Sequence, residues 1–289
     1  MHKNYYASEY IKDLRDLLER GERNYGLGVA YRELDKQRKI HDYTFVELKH
    51  DVDALGTRLL SMGLKGKHFA IVGESTYSYV VSYLAVACGV GVIVPSDREL
   101  SLEELHKLIC KSDAEVLMFS NSLQKDVTKM KGQCPELHTF INISSYEVDT
   151  EDWTIQELIK EGREEINAGN RSFSDMPLDR HALSTILFTS GTTGVNKGVM
   201  LSHKNILTVI HSAFSMFRFK EVSFSVLPIN HTYEFNLHVL GCLYGGMTLC
   251  FNDSIKHVKE NLLTFQPGMS LMVPMIVESL YKNIWKEAE

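Results

Sequence analysis

The stretch Ile186-Leu-Phe-Thr-Ser-Gly-Thr-Thr-Gly-Val-Asn-Lys-Gly-Val-Met-Leu-Ser-His-Lys-Asn-Ile206 decides how this chain is read. An apolar run over 186–188 empties into a loop of Gly, Ser and Thr. Lys197 closes the loop, and a second apolar run over 199–201 follows. Glycines let backbone N–H groups turn inward and let a bulky anion come close. The hydroxyls of Thr189, Ser190, Thr192 and Thr193 add donors, and Lys197 adds positive charge. That is the chemistry of a polyphosphate cradle. A plain hairpin turn competes, but a two-residue turn needs one or two glycines, not three with four interleaved hydroxyls. A Walker-type loop fits the separation of Gly191 and Lys197. It fails at Asn196, where its second glycine belongs, and at Gly198, where its hydroxyl belongs.

Outward from this stretch, strands and helices alternate. Helices are expected at 11–19, 45–62, 77–88, 123–130, 153–163, 235–244, 253–265 and 276–286, with one more after the cap Ser101 and a long one after the cap Ser202. Strands are expected at 68–73, 92–95, 115–120, 138–143, 223–227, 247–251 and 270–273, with a hairpin over 29–43. The capping boxes Thr44-Phe-Val-Glu47 and Ser101-Leu-Glu-Glu104 start two of the helices, and Gly63 ends one. Strand–helix–strand alternation implies an α/β fold of mostly parallel sheets flanked by helices on both faces. Residues 168–177 are polar and hold Gly169, Ser172, Ser174 and Pro177, which reads as a linker between units 1–167 and 178–289.

Composition narrows the class. The 289 residues are 44% hydrophobic and 24% charged, ordinary for a globular protein. A net charge of −6 argues against a nucleic-acid partner, which calls for a basic field. The five cysteines, Cys88, Cys110, Cys134, Cys242 and Cys250, are scattered with no Cys-x-x-Cys pair. They read as small buried apolar residues in a reducing compartment, and the expected location is cytoplasmic. The twelve histidines show no zinc-like spacing. The apolar stretch 79–95 is short for a membrane span and is broken by Gly89 and Gly91.

A second motif is Val226-Leu-Pro-Ile-Asn-His-Thr-Tyr-Glu-Phe-Asn236. On its own it reads as a strand end, a proline exit and a helix that sets His231 and Glu234 one turn apart. Thr189-Ser-Gly-Thr-Thr-Gly-Val-Asn-Lys-Gly198 resembles the phosphate-loop signature of the AMP-forming acyl-CoA synthetase superfamily, Thr-Ser-Gly-Thr-Thr-Gly-x-Pro-Lys-Gly. Asn196 stands at the usual proline, which removes some pre-set rigidity. The second motif is similar to Leu-Pro-Leu-x-His-x-x-Glu of the long-chain fatty acid–CoA ligases, with His231 and Glu234 on the matching positions. The Phe-Asp-x-Ser pattern of the amino-acid-activating branch is not there.

The resemblance implies the N-terminal part of the large domain of that fold. It implies a two-step reaction: a carboxylate attacks the α-phosphate of ATP, and coenzyme A thiolate then displaces AMP. Catalysis of the first step rests on charge neutralisation at the phosphates. By the same resemblance Thr189 is the Mg²⁺ candidate, and Ser190, Gly191, Thr192, Thr193 and Gly194 wrap the β- and γ-phosphates. Lys197 supplies charge or pairs with a carboxylate. His231 lines the boundary between acyl pocket and nucleotide, and Glu234 is either catalytic or part of a structural lock. The implied cofactors are ATP, Mg²⁺ and coenzyme A. The implied partners are small molecules, with peripheral membrane contact and a homodimer left open and no nucleic acid. The family's Gly-Tyr-Gly-x-Thr-Glu motif has only a poor match here, Tyr244-Gly-Gly-Met-Thr248, and no counterpart of the C-terminal domain is found. The chain is therefore expected to be an N-terminal portion that is inactive by itself. Two alternatives stand beside this: a non-catalytic nucleotide- or anion-binding module, and adenylation of another acid (aryl, short-chain, or bound for an acyl carrier protein).

Overall fold

The computed structural model describes residues 9–189, 197–217 and 219–288. Helix α1 (Leu14–Tyr25) starts at Asp13, whose carboxylate accepts the N–H groups of Arg15 and Asp16. It starts later than the expected 11–19 and runs on to Gly26, whose φ is 47°; Gly21 lets it sit against Phe45 and Leu243, since a Cβ there would lie 3.0 Å from Leu243 Cδ1. Strands β1 (Val29–Leu34) and β2 (Ile40–Thr44) form the expected antiparallel hairpin. Thr44 and Glu47 bond reciprocally to begin α2 (Phe45–Ser61). Gly63 reverses the chain after it with φ 76°, a conformation that costs other residues strain.

Alternation then follows the sequence reading: β3 (His68–Val72), α3 (Tyr77–Ala85), β4 (Val92–Ser96), α4 (Leu102–Lys111), β5 (Ala114–Phe119), α5 (Gln124–Met130) and β6 (Thr139–Asn142). The helix expected to reach 88 changes into a wider π-helical turn, Val86–Val90. Gly89 there, at φ 137°, sits where a Cβ would meet Met176 Cε at 2.5 Å. Trp153 is not helical. Strand β7 (Trp153–Thr154) adds an edge to β6, and the capping box of Thr154 and Glu157 starts α6 (Ile155–Asn167) two residues later than expected.

The remaining elements are β8 (Leu183–Thr189), β9 (Lys197–Ser202), α7 (His203–Met216), β10 (Val222–Ser225), α8 (Leu240–Gly245), β11 (Thr248–Phe251), α9 (Val258–Phe265), β12 (Met269–Ser270) and α10 (Pro274–Ala288). They assemble into two sheets of order β12-β10-β11-β1-β2 and β7-β6-β5-β3-β4-β8-β9. All pairs are parallel except the hairpins β1–β2 and β8–β9. Among the described residues no helix is long and apolar enough to cross a membrane.

The division between the sheets does not fall at 168–177. Strand β1 pairs with β11, Tyr31 opposite Leu249, and β4 pairs with β8, Ile93 opposite Thr185. Parallel pairing over such separations leaves no local mark in the sequence. One continuous buried cluster joins Tyr31 and Leu249 of one sheet, Ile71 and Ile93 of the other, and Leu48, Val80 and Leu240 of α2, α3 and α8. Each such fully buried side chain contributes about 1.5–3 kcal/mol. The 168–177 segment, read as a linker, is fastened to this core. Phe173 is 1% exposed, and its ring occupies the space where a Cβ on Gly56 would sit. The Arg15 guanidinium lies 5.0 Å over the same ring.

The cysteine reading needs one correction. Cys88, Cys242 and Cys250 are buried thiols, as expected. Cys110 and Cys134, however, form a disulfide with Cα atoms 5.5 Å apart. The 24-residue separation conceals this: α4 and the turns after α5 pack on the same buried patch of β3 and β5.

Candidate active site

The β8–β9 hairpin is rooted in the core at one end, and at the other its described strands reach Thr189 and Lys197. At the root, Thr185 is buried, pairs with Ile93 and lies 2.6 Å from the Tyr83 hydroxyl. At the far end, Thr189 and Lys197 stand opposite each other in the antiparallel register, and both are exposed. Residues opposite in such a ladder present their side chains to the same face. A hydroxyl and an ammonium therefore share one face at this end of the ladder, and among the described residues Lys197 makes no ion pair. Ser190, Gly191, Thr192, Thr193 and Gly194 lie outside the described residues. A hydroxyl and a cation held side by side fit a phosphate and its hard, oxygen-seeking Mg²⁺ ion.

Ser202 continues the chain from β9 into α7, its hydroxyl accepting from Asn205 N–H at 3.3 Å while Asn205 reaches back to Ser202 N–H at 3.0 Å. The next residue, His203, is buried and accepts the Leu14 N–H at Nδ1, 3.4 Å away. Burial holds this imidazole below the ordinary histidine value of 6.5. His211, two turns on, accepts the Ile11 N–H at Nε2, 3.3 Å away. The sequence reading assigned neither histidine a task.

The second motif splits into an exposed and a buried half. Pro228 turns the chain out of β10, and the His231 N–H donates to the Pro228 carbonyl at 3.2 Å. His231 itself is exposed. The residues that follow are π-helical over Tyr233–Val239, not α-helical as expected. This wide turn is common at functional positions. Glu234 points inward and is 0% exposed. Its Oε1 accepts from Ser225 Oγ, and the His238 ring Nδ1 lies 3.0 Å from the same oxygen. His238 Nε2 is 2.6 Å from Ser223 Oγ. Glu234 thus belongs to a sealed chain, Ser225–Glu234–His238–Ser223, and the structure places no open space at its carboxylate. Burial and the nearby Glu234 charge push the Cys242 thiol well up. The missed partners had a readable signal: His238 is four residues from Glu234, one helical turn, and Ser223 and Ser225 alternate onto one strand face.

One residue joins the two motifs. The ring of Tyr83 packs on Phe235, tilted, with centroids 3.8 Å apart, while its hydroxyl holds Thr185. A hollow of about 380 Å³, lined by Leu60, Lys65, Ser172, Asp175, Met176 and Pro177, shares no residue with either motif.

Comparison with known proteins bears on the family and the fold. The long-chain-fatty-acid–CoA ligase 5 of Rattus norvegicus is 27% identical over 311 residues, covering 99% of this chain and 44% of that protein. The long chain acyl-CoA synthetase 4 of Arabidopsis thaliana is 25% identical over 259 residues, 84% of this chain and 38% of its own. The chain spans less than half the length of these curated relatives and matches their N-terminal part. Among solved structures, a long-chain-fatty-acid–CoA ligase from Archaeoglobus fulgidus superposes with a TM-score of 0.80 at 18% identity, covering 96% of this chain and 55% of its own. The adenylation domain of a carboxylate reductase from Mycobacterium chelonae gives 0.80 at 17%, covering 95% and 48%. These establish the fold, that of the N-terminal domain of adenylate-forming enzymes. Residues 27–288 match the family model described as AMP-binding enzyme, and this chain belongs to that family of adenylate-forming acid–CoA ligases.

Proposed function

We propose that this chain carries the phosphate-binding portion of an ATP-dependent, AMP-forming ligase that activates a long-chain fatty acid and passes it to coenzyme A. The observation that carries the reading is the pairing of Thr189 with Lys197, both exposed, on a hairpin whose root is buried. In this reading the loop residues Ser190, Gly191, Thr192, Thr193 and Gly194 wrap the β- and γ-phosphates, and Thr189 offers a hydroxyl to Mg²⁺. Lys197 supplies charge at the phosphates. His231, exposed on the turn after β10, borders the acyl group. Glu234 acts as a lock that shapes this turn from within, since its carboxylate is fully consumed by Ser225 and His238.

The fatty acid preference is supported by the two long-chain relatives above and by the His231–Glu234 motif. Residues 1–289 by themselves are expected to contact nucleotide without turning it over. The test is acid-dependent ATP–pyrophosphate exchange by the full-length gene product, profiled against acids of graded length. Exchange that rises with long-chain acids supports the reading. Exchange that responds only to aryl or short acids overturns the substrate assignment and leaves the ligase assignment standing.

A further inference from the structure

A cluster remote from both motifs carries a chemistry the ligase reading does not use. Helix α4 sets His106 and Cys110 four residues apart and so on one face. Cys134, in the turns between α5 and β6, packs against them. One ring nitrogen and the two sulfurs lie within 4.8 Å of one another. His106 Nε2 is 3.5 Å from Cys110 Sγ, and Cys134 Sγ is 4.0 Å from the His106 carbonyl oxygen. Cys134 is 4% exposed, beside the buried Leu105, Ile109 and Leu137, whereas His106 and Cys110 are half-buried and reachable.

We propose that His106, Cys110 and Cys134, in the dithiol form, bind one Zn²⁺ ion with a fourth position left to water. Two soft thiolates and an imidazole are a zinc donor set. Zn–S of about 2.3 Å and Zn–N of about 2.0–2.1 Å at a tetrahedral angle put sulfur and nitrogen about 3.5 Å apart. The His106–Cys110 separation already has that value, and the helix fixes it. Only Cys134 must withdraw, to about 3.8 Å from the other sulfur, and it sits in an irregular segment beside Gly132, whose φ is 78°. The remaining thiols do not compete. They are buried, and burial pushes Cys88 and Cys242 well up and Cys250 up to about 12.

Metal and disulfide exclude each other. A small-molecule thiol reductant breaks the Cys110–Cys134 bond: the protein gains two thiols, and two reductant molecules leave as their own disulfide. Zn²⁺ then displaces both thiol protons to solvent and takes neutral His106 through Nε2. Occupancy therefore reports the redox state of this pair.

The test uses the untagged 289-residue chain, reduced, freed of reductant without oxygen, and titrated with Co²⁺. One Co²⁺ per chain, with tetrahedral visible bands and a thiolate charge-transfer band that Zn²⁺ abolishes, is expected. The oxidised chain and the Cys134→Ser chain lose those bands, and His106→Ala loses the one-to-one stoichiometry. Bands missing from the reduced parent chain, or intact in Cys134→Ser, overturn the proposal. Because a variant can misfold, alkylation of the parent chain is followed in parallel. Zn²⁺ should shield Cys110 and Cys134 alone; equal labelling with and without Zn²⁺ also overturns it.

Discussion

Tyr83 and Phe235 pack ring against ring, tilted by 31° with centroids 3.8 Å apart, and this contact couples the two motifs. Tyr83 belongs to α3, Phe235 to the π-helical turn, and the Tyr83 hydroxyl reaches Thr185 at the root of the phosphate hairpin. Neither motif contains Tyr83, yet both are positioned by it. Removing the hydroxyl alone leaves the ring contact and orphans a buried Thr185 oxygen. Tyr83→Phe should cost about 1–3 kcal/mol in urea unfolding. Tyr83→Ala, which also opens a cavity, should cost about 3–5 kcal/mol. Equal stability of Tyr83→Phe and the parent chain would mean that the Thr185 bond contributes nothing.

The sealed chain at Glu234 separates a lock from a reacting group. Glu234→Ala leaves His238 Nδ1 and Ser225 Oγ without partners in a buried site, and a loss of about 2–3 kcal/mol in thermal or urea unfolding is expected. Glu234→Gln keeps the shape and one acceptor and should lose less. A Glu234→Ala chain as stable as the parent contradicts the lock.

The histidine behind the phosphate hairpin sets a pH dependence. His203 accepts a backbone N–H through Nδ1, which only the neutral ring can do. Its folded value lies below the ordinary 6.5, so the unfolded chain binds more protons once pH falls past that point. Stability contributed by this residue is then complete above 6.5 and is lost on acidification towards the folded value. His203→Asn retains an acceptor and removes the titration, so its unfolding midpoint should vary less with pH below neutrality. An unchanged slope would remove His203 as the cause.

The buried Phe173 makes the 168–177 segment part of the core. Phe173→Ala should cost about 3–5 kcal/mol and expose the segment to proteolysis. Gly56→Ala, which drives a Cβ into the ring, should cost about 1–3 kcal/mol. Parent-like protease resistance in Phe173→Ala would return the segment to the status of a linker.

What could be read in the sequence was local. Thr44–Glu47 and Ser101–Glu104 announced their helices because a cap is a four-residue event. The hairpin around 186–202 was legible because its strands flank their own loop. What stayed hidden was long-range. Tyr31 opposite Leu249 and Ile93 opposite Thr185 are pairings between distant segments. Phe173 sat in a polar stretch and was masked by its neighbours. Thr154 is a cap hidden behind Trp153, a residue that suits the first turn of a helix. At the site, His231 and Glu234 were legible as a pair, but the sequence could not tell that one faces solvent and the other is sealed. That difference comes from the π-helical turn and the serines of β10.

The most direct measurement bears on the loop between Thr189 and Lys197. The full-length gene product carrying Gly191→Val should lose acid-dependent ATP–pyrophosphate exchange while keeping the parent's unfolding midpoint, because a branched side chain keeps a polyphosphate from approaching the backbone. Exchange at the parent rate in that variant would contradict the assignment of this hairpin as the nucleotide's phosphate site.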